Sequence, residues 1–282
     1  MSERRAMAGS VVIADLRVGR MGYGAMRITG RGVWGEPRDR GEARRVLRRV
    51  VELGVDLIDT ADSYGPAVSE ELIAQALHPY PEHLVIATKG GSLRPGPGQW
   101  VRDGRPEHLK KVCEESLVRL RLEQIPLYQL HSPDPNVPIE DSIGALRELQ
   151  QEGKIRHIGV SNVTVDELER AQTVAPIVSV QNRYNALDRH SDALVERCEQ
   201  QGLAFLPWAP LASGDADVPE ARAIADRHGA SARQVLLAWL LARSPVIVPI
   251  PGSGSMAHAE ENIAAAALEL TADELTRLDR LA

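Results

Sequence analysis

Short apolar runs alternate with longer amphipathic segments along the whole chain, and this alternation limits the folds that are open to it. Several of the apolar runs are nearly continuous, such as VDLID at Val55–Asp59. Runs of this kind are typical of strands that are buried on both faces of a parallel sheet. The predicted strands are Arg20–Tyr23, Val55–Asp59, Leu84–Lys89, Pro126–His131, Arg156–Ser161, Ile177–Gln181, Ala204–Trp208 and Pro245–Pro249.

The intervening segments carry the apolar spacing and the end signals of helices. In Asp39–Leu53 the apolar residues fall on one helical face, and Gly54 follows as a stop signal. Capping boxes are predicted to open three later helices, at Thr164 with Glu167, Ser231 with Gln234, and Thr271 with Glu274. The other predicted helices are Ser69–Leu77, Pro106–Leu120, Ile139–Glu152, Asp192–Gln201, Pro219–Arg227 and Ala259–Ala267.

Repeated strand–helix units in a chain of 282 residues favour a closed (β/α)₈ barrel. The alternative is an open doubly wound sheet, which usually carries a GxGxxG loop after its first strand. Here the stretch Gly22–Met26 lacks the third glycine of that loop. A β-hairpin is predicted around Val11–Val18, before the first unit. Because no linker or low-complexity segment interrupts the pattern, we predict a single domain over residues 1–282.

Composition excludes several classes of partner and location. The formal net charge of −6 gives no reason to expect nucleic acid or an anionic membrane as a partner. No apolar stretch approaches the roughly 18 residues that a membrane span needs. The two cysteines, Cys113 and Cys198, do not form a CxxC pair and are expected to be ordinary thiols. We therefore expect a cytoplasmic protein that acts on a small molecule, and its oligomeric state stays open.

Polar side chains stand at the predicted ends of three neighbouring strands. Asp59 ends the second strand, Lys89 the third and His131 the fourth, while Tyr64 follows in the loop after Asp59. The C-terminal strand ends of a barrel form one mouth, so these four side chains should converge there. Each of them also has an ordinary structural role open to it, as a helix cap, a strand-end lysine, a core histidine or loop packing.

Together the four side chains fit one chemical task, which is proton delivery to a carbonyl oxygen. Asp59 would pair with Lys89, and the Lys89 ammonium would lower the pKa of Tyr64 from its reference value of about 10. A tyrosine with a lowered pKa is a better general acid near neutral pH. His131 would polarise the carbonyl by donating a hydrogen bond to it.

Seven motifs carry a resemblance to a known family over essentially the whole chain. In chain order they are DTADSYG (Asp59–Gly65), ATKGG (Ala87–Gly91), LHSPD (Leu130–Asp134), GVSN (Gly159–Asn162), QNRYN (Gln181–Asn185), PWAPLASG (Pro207–Gly214) and IPGSGSMAHAEEN (Ile250–Asn262). With these motifs at its predicted strand ends, the chain resembles the aldo-keto reductases. Through Gly22–Arg40 it resembles more narrowly the bacterial branch that includes pyridoxal reductases.

The resemblance implies an enzyme that reduces the aldehyde or ketone group of a small molecule with NAD(P)H and needs no metal. Its catalytic tetrad falls on Asp59, Tyr64, Lys89 and His131, with Tyr64 as the general acid. Two alternatives remain open on the same fold. One is a cofactor-binding regulatory protein, against which the intact tetrad argues. The other is a Schiff-base aldolase, which would need Lys89 as an uncharged nucleophile.

The resemblance also implies a series of cofactor contacts along the later strands. The nicotinamide amide is expected at Ser161, Asn162 and Gln181, and its ring against Trp208. The remaining expected contacts are Pro210, Leu211 and Ala212 for the pyrophosphate, Gly252, Ser253, Ser255, His258, Glu261 and Asn262 for the adenosine end, and Gly24 and Met26 after the first strand. The segment Pro251–Ser255 opens a predicted helix, whose free N–H groups favour an anion.

NADPH is the expected cofactor, with NADH as the alternative. Members specific for NADPH often have Lys and Arg at positions that are Gly252 and His258 in this chain. We therefore expect weaker discrimination between the two cofactors than in those members. Trp34 and Trp100, on the loops after the first and third strands, are the expected aromatic walls of the substrate pocket.

Overall fold

The computed structural model describes residues 9–211 and 218–282. Its strands are β1 (Ser10–Ile13), β2 (Leu16–Gly19), β3 (Tyr23–Gly24), β4 (Leu57–Asp59), β5 (Val85–Gly90), β6 (Ser92–Leu93), β7 (Val101–Arg102), β8 (Ile125–Leu130), β9 (Ile155–Ser161), β10 (Ile177–Gln181) and β11 (Ala204–Phe205). Its α-helices are α1 (Arg40–Glu52), α2 (Val68–Leu77), α3 (Pro106–Leu120), α4 (Ile139–Gln151), α5 (Val165–Val174), α6 (Asp192–Gln201), α7 (Pro219–His228), α8 (Ala232–Arg243), α9 (Met256–Ala264) and α10 (Ala272–Leu278).

The helices begin where their capping residues stand in the sequence. Asp39 accepts a hydrogen bond from the Glu42 N–H at 2.9 Å and so opens α1. The capping boxes at Thr164, Ser231 and Thr271 all form, each with the predicted partner residue. These local bonds satisfy N–H groups that have no partner inside the helix, which fixes the start of each helix.

Seven strands form one parallel sheet in the order β11-β10-β9-β8-β5-β4-β3. Residues 246–251 close this sheet into a barrel, because they pair with both of its edges. The Phe205 N–H donates to the Val246 carbonyl and the Gly22 N–H donates to the Pro249 carbonyl, each at 2.9 Å. The predicted closed (β/α)₈ barrel is confirmed. The closing segment is not a regular strand because its prolines cannot donate to a ladder.

The predicted N-terminal hairpin is present as the antiparallel pair β1–β2. Its buried side chains Val11, Ile13 and Val18 pack against barrel-interior residues such as Leu57 and Val85, which begin their strands. The hairpin therefore covers the end of the barrel at which the strands start. The opposite end, where the strands finish, is left for the site.

A second hairpin, β6–β7, stands at the mouth of the barrel in a stretch that the sequence pattern left as a loop. It follows β5 directly, and Trp100 lies immediately before its second strand. No helix in the described ranges is long and apolar enough to cross a membrane.

Candidate active site

A buried ion pair lies at the C-terminal ends of β4 and β5. The Lys89 ammonium is 2.6 Å from Asp59 Oδ2 and donates to the Thr60 carbonyl at 2.9 Å. Lys89 has no exposed surface and Asp59 is 2% exposed. Burial opposes the charge on Lys89, but Asp59 and Tyr64 outweigh it and raise the lysine pKa. Lys89 is therefore a fixed cation beneath the mouth of the barrel.

The loop after β4 turns Tyr64 back over this ion pair. The Lys89 ammonium donates to the Tyr64 hydroxyl at 3.4 Å and lies 5.2 Å from the centre of its ring. Burial raises the pKa of Tyr64, and the opposing effect of Lys89 is smaller. The lowered pKa of Tyr64 that was expected from the sequence is therefore wrong for this structure, because burial of the phenol outweighs the charge of Lys89. Tyr64 keeps its proton at neutral pH.

His131 stands directly after β8 and faces Tyr64. The centres of the two rings are 5.9 Å apart in an edge-to-face arrangement, and Ser63 Oγ lies 3.3 Å from His131 Nδ1. Burial, together with the positive charges of Lys89 and Arg94, holds the pKa of His131 well below its usual range. The imidazole is therefore neutral and can donate a hydrogen bond without carrying a charge.

Two glutamine side chains hold the second oxygen of Asp59. Gln181 donates to Asp59 Oδ1 at 2.8 Å and Gln129 donates to the same atom at 3.1 Å. All three side chains are buried. Sequence analysis placed Gln181 at the nicotinamide amide and did not single out Gln129. Gln129 lies one residue before the end of β8 and Gln181 is the last residue of β10, and a polar side chain at the end of an otherwise apolar strand was the available signal.

A cleft of about 1080 Å³ opens above Tyr64 and His131. This is slightly above the range of roughly 300–1,000 Å³ found for small-molecule sites, so the cleft has room for a cofactor and a substrate together. Asn162 and Trp208 form one wall, where the Trp208 indole N–H donates to Asn162 Oδ1 at 3.0 Å. Asn162 also donates to the His131 carbonyl at 2.9 Å, which joins this wall to the reacting end.

The far end of the cleft is a cradle formed by closely packed backbone at Gly24 and Gly252 and by the buried side chain of Asn262. A Cβ atom on Gly252 would lie 2.3 Å from the Gly24 carbonyl oxygen, so only glycine lets these two segments approach each other. Asn262 is 3% exposed, and its side-chain oxygen has no hydrogen-bond partner in the described part of the chain. A buried acceptor of this kind needs a donor, and the exocyclic amine of an adenine ring would supply one. The residues present therefore fit a nicotinamide dinucleotide.

Most of the residues singled out from the sequence line this cleft. They are Gly24, Met26, Asp59, Tyr64, Trp100, His131, Ser161, Asn162, Gln181, Trp208, Pro210, Leu211, Gly252, Ser253, His258 and Asn262. Lys89 lies behind Tyr64 rather than at the surface of the cleft. Trp34, Ser255 and Glu261 are not among the lining residues, and Ala212 lies outside the described residues.

Trp34 contacts the site indirectly, because its backbone pairs with Gly65 in an isolated bridge next to Tyr64. Sequence analysis missed four cationic residues that line the cleft, namely Arg27, Arg102, Arg183 and Arg233. They come from four separate segments. Arg183 lies within the QNRYN motif and Arg27 within Gly22–Arg40, but sequence analysis assigned no role to either of them or to Arg102 and Arg233. The positive charge absent at Gly252 and His258 is thus present on other segments of the same cleft.

Comparison with known sequences gives matches over nearly the full length. The model of the aldo/keto reductase family matches residues 20–282. An uncharacterised oxidoreductase of Schizosaccharomyces pombe is 46% identical over 276 residues, which cover 97% of this chain and 90% of that protein. Pyridoxine 4-dehydrogenase of Escherichia coli is 42% identical over 272 residues, which cover 93% of this chain and 94% of that protein.

Comparison with solved structures gives the same family. A glycerol dehydrogenase from Gluconobacter oxydans superimposes with a TM-score of 0.87 at 27% identity and covers 97% of this chain and 95% of its own. An aldo/keto reductase from Klebsiella pneumoniae, solved with NADP and acetate, has a TM-score of 0.80 at 26% identity. That match covers 94% of this chain and 92% of the Klebsiella chain.

Proposed function

Because the chain belongs to the aldo/keto reductase family, we propose that it reduces the carbonyl group of a small aldehyde or ketone with NADPH and that Tyr64 delivers the proton. One observation carries this proposal. The hydroxyl of a protonated tyrosine, a neutral histidine and a buried lysine–aspartate pair meet at one end of a cleft large enough for a dinucleotide.

Tyr64 and His131 act together on the carbonyl oxygen. Both side chains are neutral hydrogen-bond donors, because the pKa of Tyr64 is raised and the pKa of His131 is lowered. Two positioned donors stabilise the negative charge that develops on the oxygen. Tyr64 then transfers its hydroxyl proton to that oxygen, and the ammonium of Lys89 stabilises the tyrosinate that is left. Asp59 keeps Lys89 charged throughout.

The wall of Asn162 and Trp208 and the cradle of Gly24 and Gly252 would hold the dinucleotide. When bound, NADPH supplies the hydride that adds to the carbonyl carbon. Trp208 offers an aromatic face, and Ser161 and Asn162 offer polar groups, beside the reacting end of the cleft. A flat ring with an amide substituent, such as nicotinamide, needs this combination.

The Schiff-base alternative requires a lysine that is uncharged at neutral pH. Lys89 is ion-paired with Asp59 and its pKa is raised, which is the opposite of that requirement. The reductase proposal uses the same charge as part of its mechanism. For the regulatory alternative, steady-state turnover is the deciding observation.

A cofactor-consumption assay tests the proposed function. The purified chain is mixed with NADPH or NADH and, separately, with pyridoxal, benzaldehyde, an α-dicarbonyl and a cyclic ketone. Pyridoxal belongs in the panel because the Escherichia coli relative is a pyridoxine 4-dehydrogenase. We expect steady oxidation of NADPH with at least one carbonyl compound and formation of the matching alcohol. Tight NADPH binding without turnover on any of them would contradict the proposal and favour the regulatory alternative.

A further inference from the structure

The part of the cleft lined by Trp100, which we call its substrate side, carries Arg102, an arginine with no counter-ion among the described residues. Arg102 lies in β7, two residues after Trp100, and both side chains line the cleft. Its side chain is exposed and makes no hydrogen bond or ion pair with any residue in the ranges 9–211 and 218–282. An exposed arginine of this kind is available to a ligand that enters the cleft.

A second arginine is buried directly behind the same wall. Arg94 is 6% exposed, and its guanidinium stacks on the Trp100 ring at 3.8 Å. It donates to the carbonyls of Gln99 and Gly32, each at 2.8 Å, while Nη1 has no partner among the described residues. No described carboxylate lies within ion-pair distance of it. A buried charge without a counter-ion is costly, and burial accordingly lowers the pKa of Arg94.

This positive charge reaches the reacting end of the cleft. The Trp100 ring lies edge-on to the rings of Tyr64 and His131, with ring centres 6.4 Å and 5.8 Å apart. Only the Trp100 ring therefore separates the guanidinium of Arg94 from these two side chains. Of the residues described, Asp59 supplies the only carboxylate in the lining, and it is already paired with Lys89. The substrate side is therefore positive although the chain as a whole carries −6.

We propose that the substrate is an aldehyde or ketone with an anionic group, a carboxylate or a phosphate, which pairs with Arg102 in the field of Arg94. The inference rests on the proposed reductase function and narrows its substrate class. Arg102 supplies a bidentate partner for the anion, and Trp100 supplies an apolar wall for the part of the substrate that joins the anion to the carbonyl. Tyr64 and His131 would act on the carbonyl oxygen in the same way whether the substrate is charged or neutral.

Matched substrates and matched variants test this inference. Turnover is measured for 4-carboxybenzaldehyde against 4-methylbenzaldehyde, and for pyridoxal 5′-phosphate against pyridoxal. The variant Arg102→Gln removes the charge at the cleft, and Arg44→Gln, on the outer helix α1, removes one elsewhere. Because hydrogen bonds to charged groups are strong, we expect Arg102→Gln to raise the KM for an anionic member about tenfold or more. The KM for its neutral counterpart and all constants of Arg44→Gln should stay within about twofold.

A binding measurement separates this inference from the proposed function. The amides 4-carbamoylbenzoate and benzamide are titrated calorimetrically into the NADP⁺-loaded protein, since neither is reduced. Tighter binding of 4-carbamoylbenzoate that is lost in Arg102→Gln supports the inference even if no aldehyde in the panel turns over. In the turnover measurements, if Arg102→Gln weakens the anionic member of just one of the two substrate pairs, that pair identifies the anion as a carboxylate or a phosphate. Equal effects of Arg102→Gln on charged and neutral ligands, or no effect on either, would overturn the inference.

Discussion

Lys89 shows how a single residue can be both fully buried and charged. Its ammonium has a carboxylate, a backbone carbonyl and a phenol as neighbours, so each of its three donors has an acceptor. Two glutamines in turn hold the other oxygen of Asp59. This arrangement fixes the position of the charge under Tyr64, so that little rearrangement is needed when the proton leaves.

The shifted pKa values of Tyr64 and His131 predict a wide pH plateau. His131 gains a proton only well below its usual 6.5, and Tyr64 loses its proton only above its usual value of 10. Between about pH 6.5 and pH 10 both side chains therefore keep the neutral, protonated-tyrosine state that reduction needs. We expect kcat for reduction of 4-methylbenzaldehyde to be constant over that interval, to fall at more acidic pH and to fall at more alkaline pH.

Steady-state kinetics at saturating NADPH across this range provide the measurement. The substrate has no titrating group, so any inflection belongs to the protein or the cofactor. A step in kcat near neutral pH that disappears in Tyr64→Phe would show that Lys89 lowers the pKa of Tyr64 more than burial raises it. That outcome would restore the expectation drawn from the sequence.

At the scale of elements, the predictions succeed where the signal is local. The capping residues Asp39, Thr164, Ser231 and Thr271 mark helix starts through bonds to residues close in sequence, so the chain itself specifies them. Most strand positions also follow from continuous apolar runs, but the eighth predicted strand, Pro245–Pro249, is observed only as an isolated bridge between Ile247 and Phe205. The first predicted strand, Arg20–Tyr23, is observed only as Tyr23–Gly24, and the seventh, Ala204–Trp208, only as Ala204–Phe205. Their limits depend on which partner strand reaches them, which no local pattern encodes.

The hairpin β1–β2 offers a test of how one element supports the barrel. Ile13 has no exposed surface and packs among barrel-interior residues, whereas its neighbour Val12 is 44% exposed. Because Ile13→Ala leaves a cavity, we expect it to reduce the free energy of unfolding by about 2–5 kcal/mol. Val12→Ala should change it by no more than about 0.5 kcal/mol. Urea unfolding followed by circular dichroism measures both.

Turnover by the folded Ile13→Ala variant should match that of the parent, since the hairpin covers the end of the barrel opposite Tyr64. Equal stability of the two variants would mean that the hairpin is not part of the core. A large loss of kcat in folded Ile13→Ala would mean that the two ends of the barrel are coupled.

At the scale of the whole molecule, the catalytic side chains come from the ends of neighbouring strands. Asp59, Lys89 and His131 could be predicted together because a closed parallel barrel brings its strand ends to one mouth. Arg94 and Arg102 could not, because their role depends on how the β6–β7 hairpin packs at the mouth of the barrel. The extent of the domain, residues 1–282, and the cofactor contacts stay predictions.

The variant Tyr64→Phe tests whether Tyr64 delivers the proton to the carbonyl oxygen. Turnover is measured under conditions in which chemistry limits the rate, and NADPH affinity is measured in parallel by fluorescence quenching. Tyr80→Phe is the control, because it also loses a phenol hydroxyl, which in the half-buried Tyr80 donates to the Leu120 carbonyl at 2.8 Å. Loss of a general acid predicts a fall in kcat of about 10² to 10⁴ for Tyr64→Phe, with NADPH affinity changed by no more than a few-fold. If Tyr64→Phe keeps more than about a tenth of the parent kcat, far above the level expected without a general acid, Tyr64 is not the proton donor.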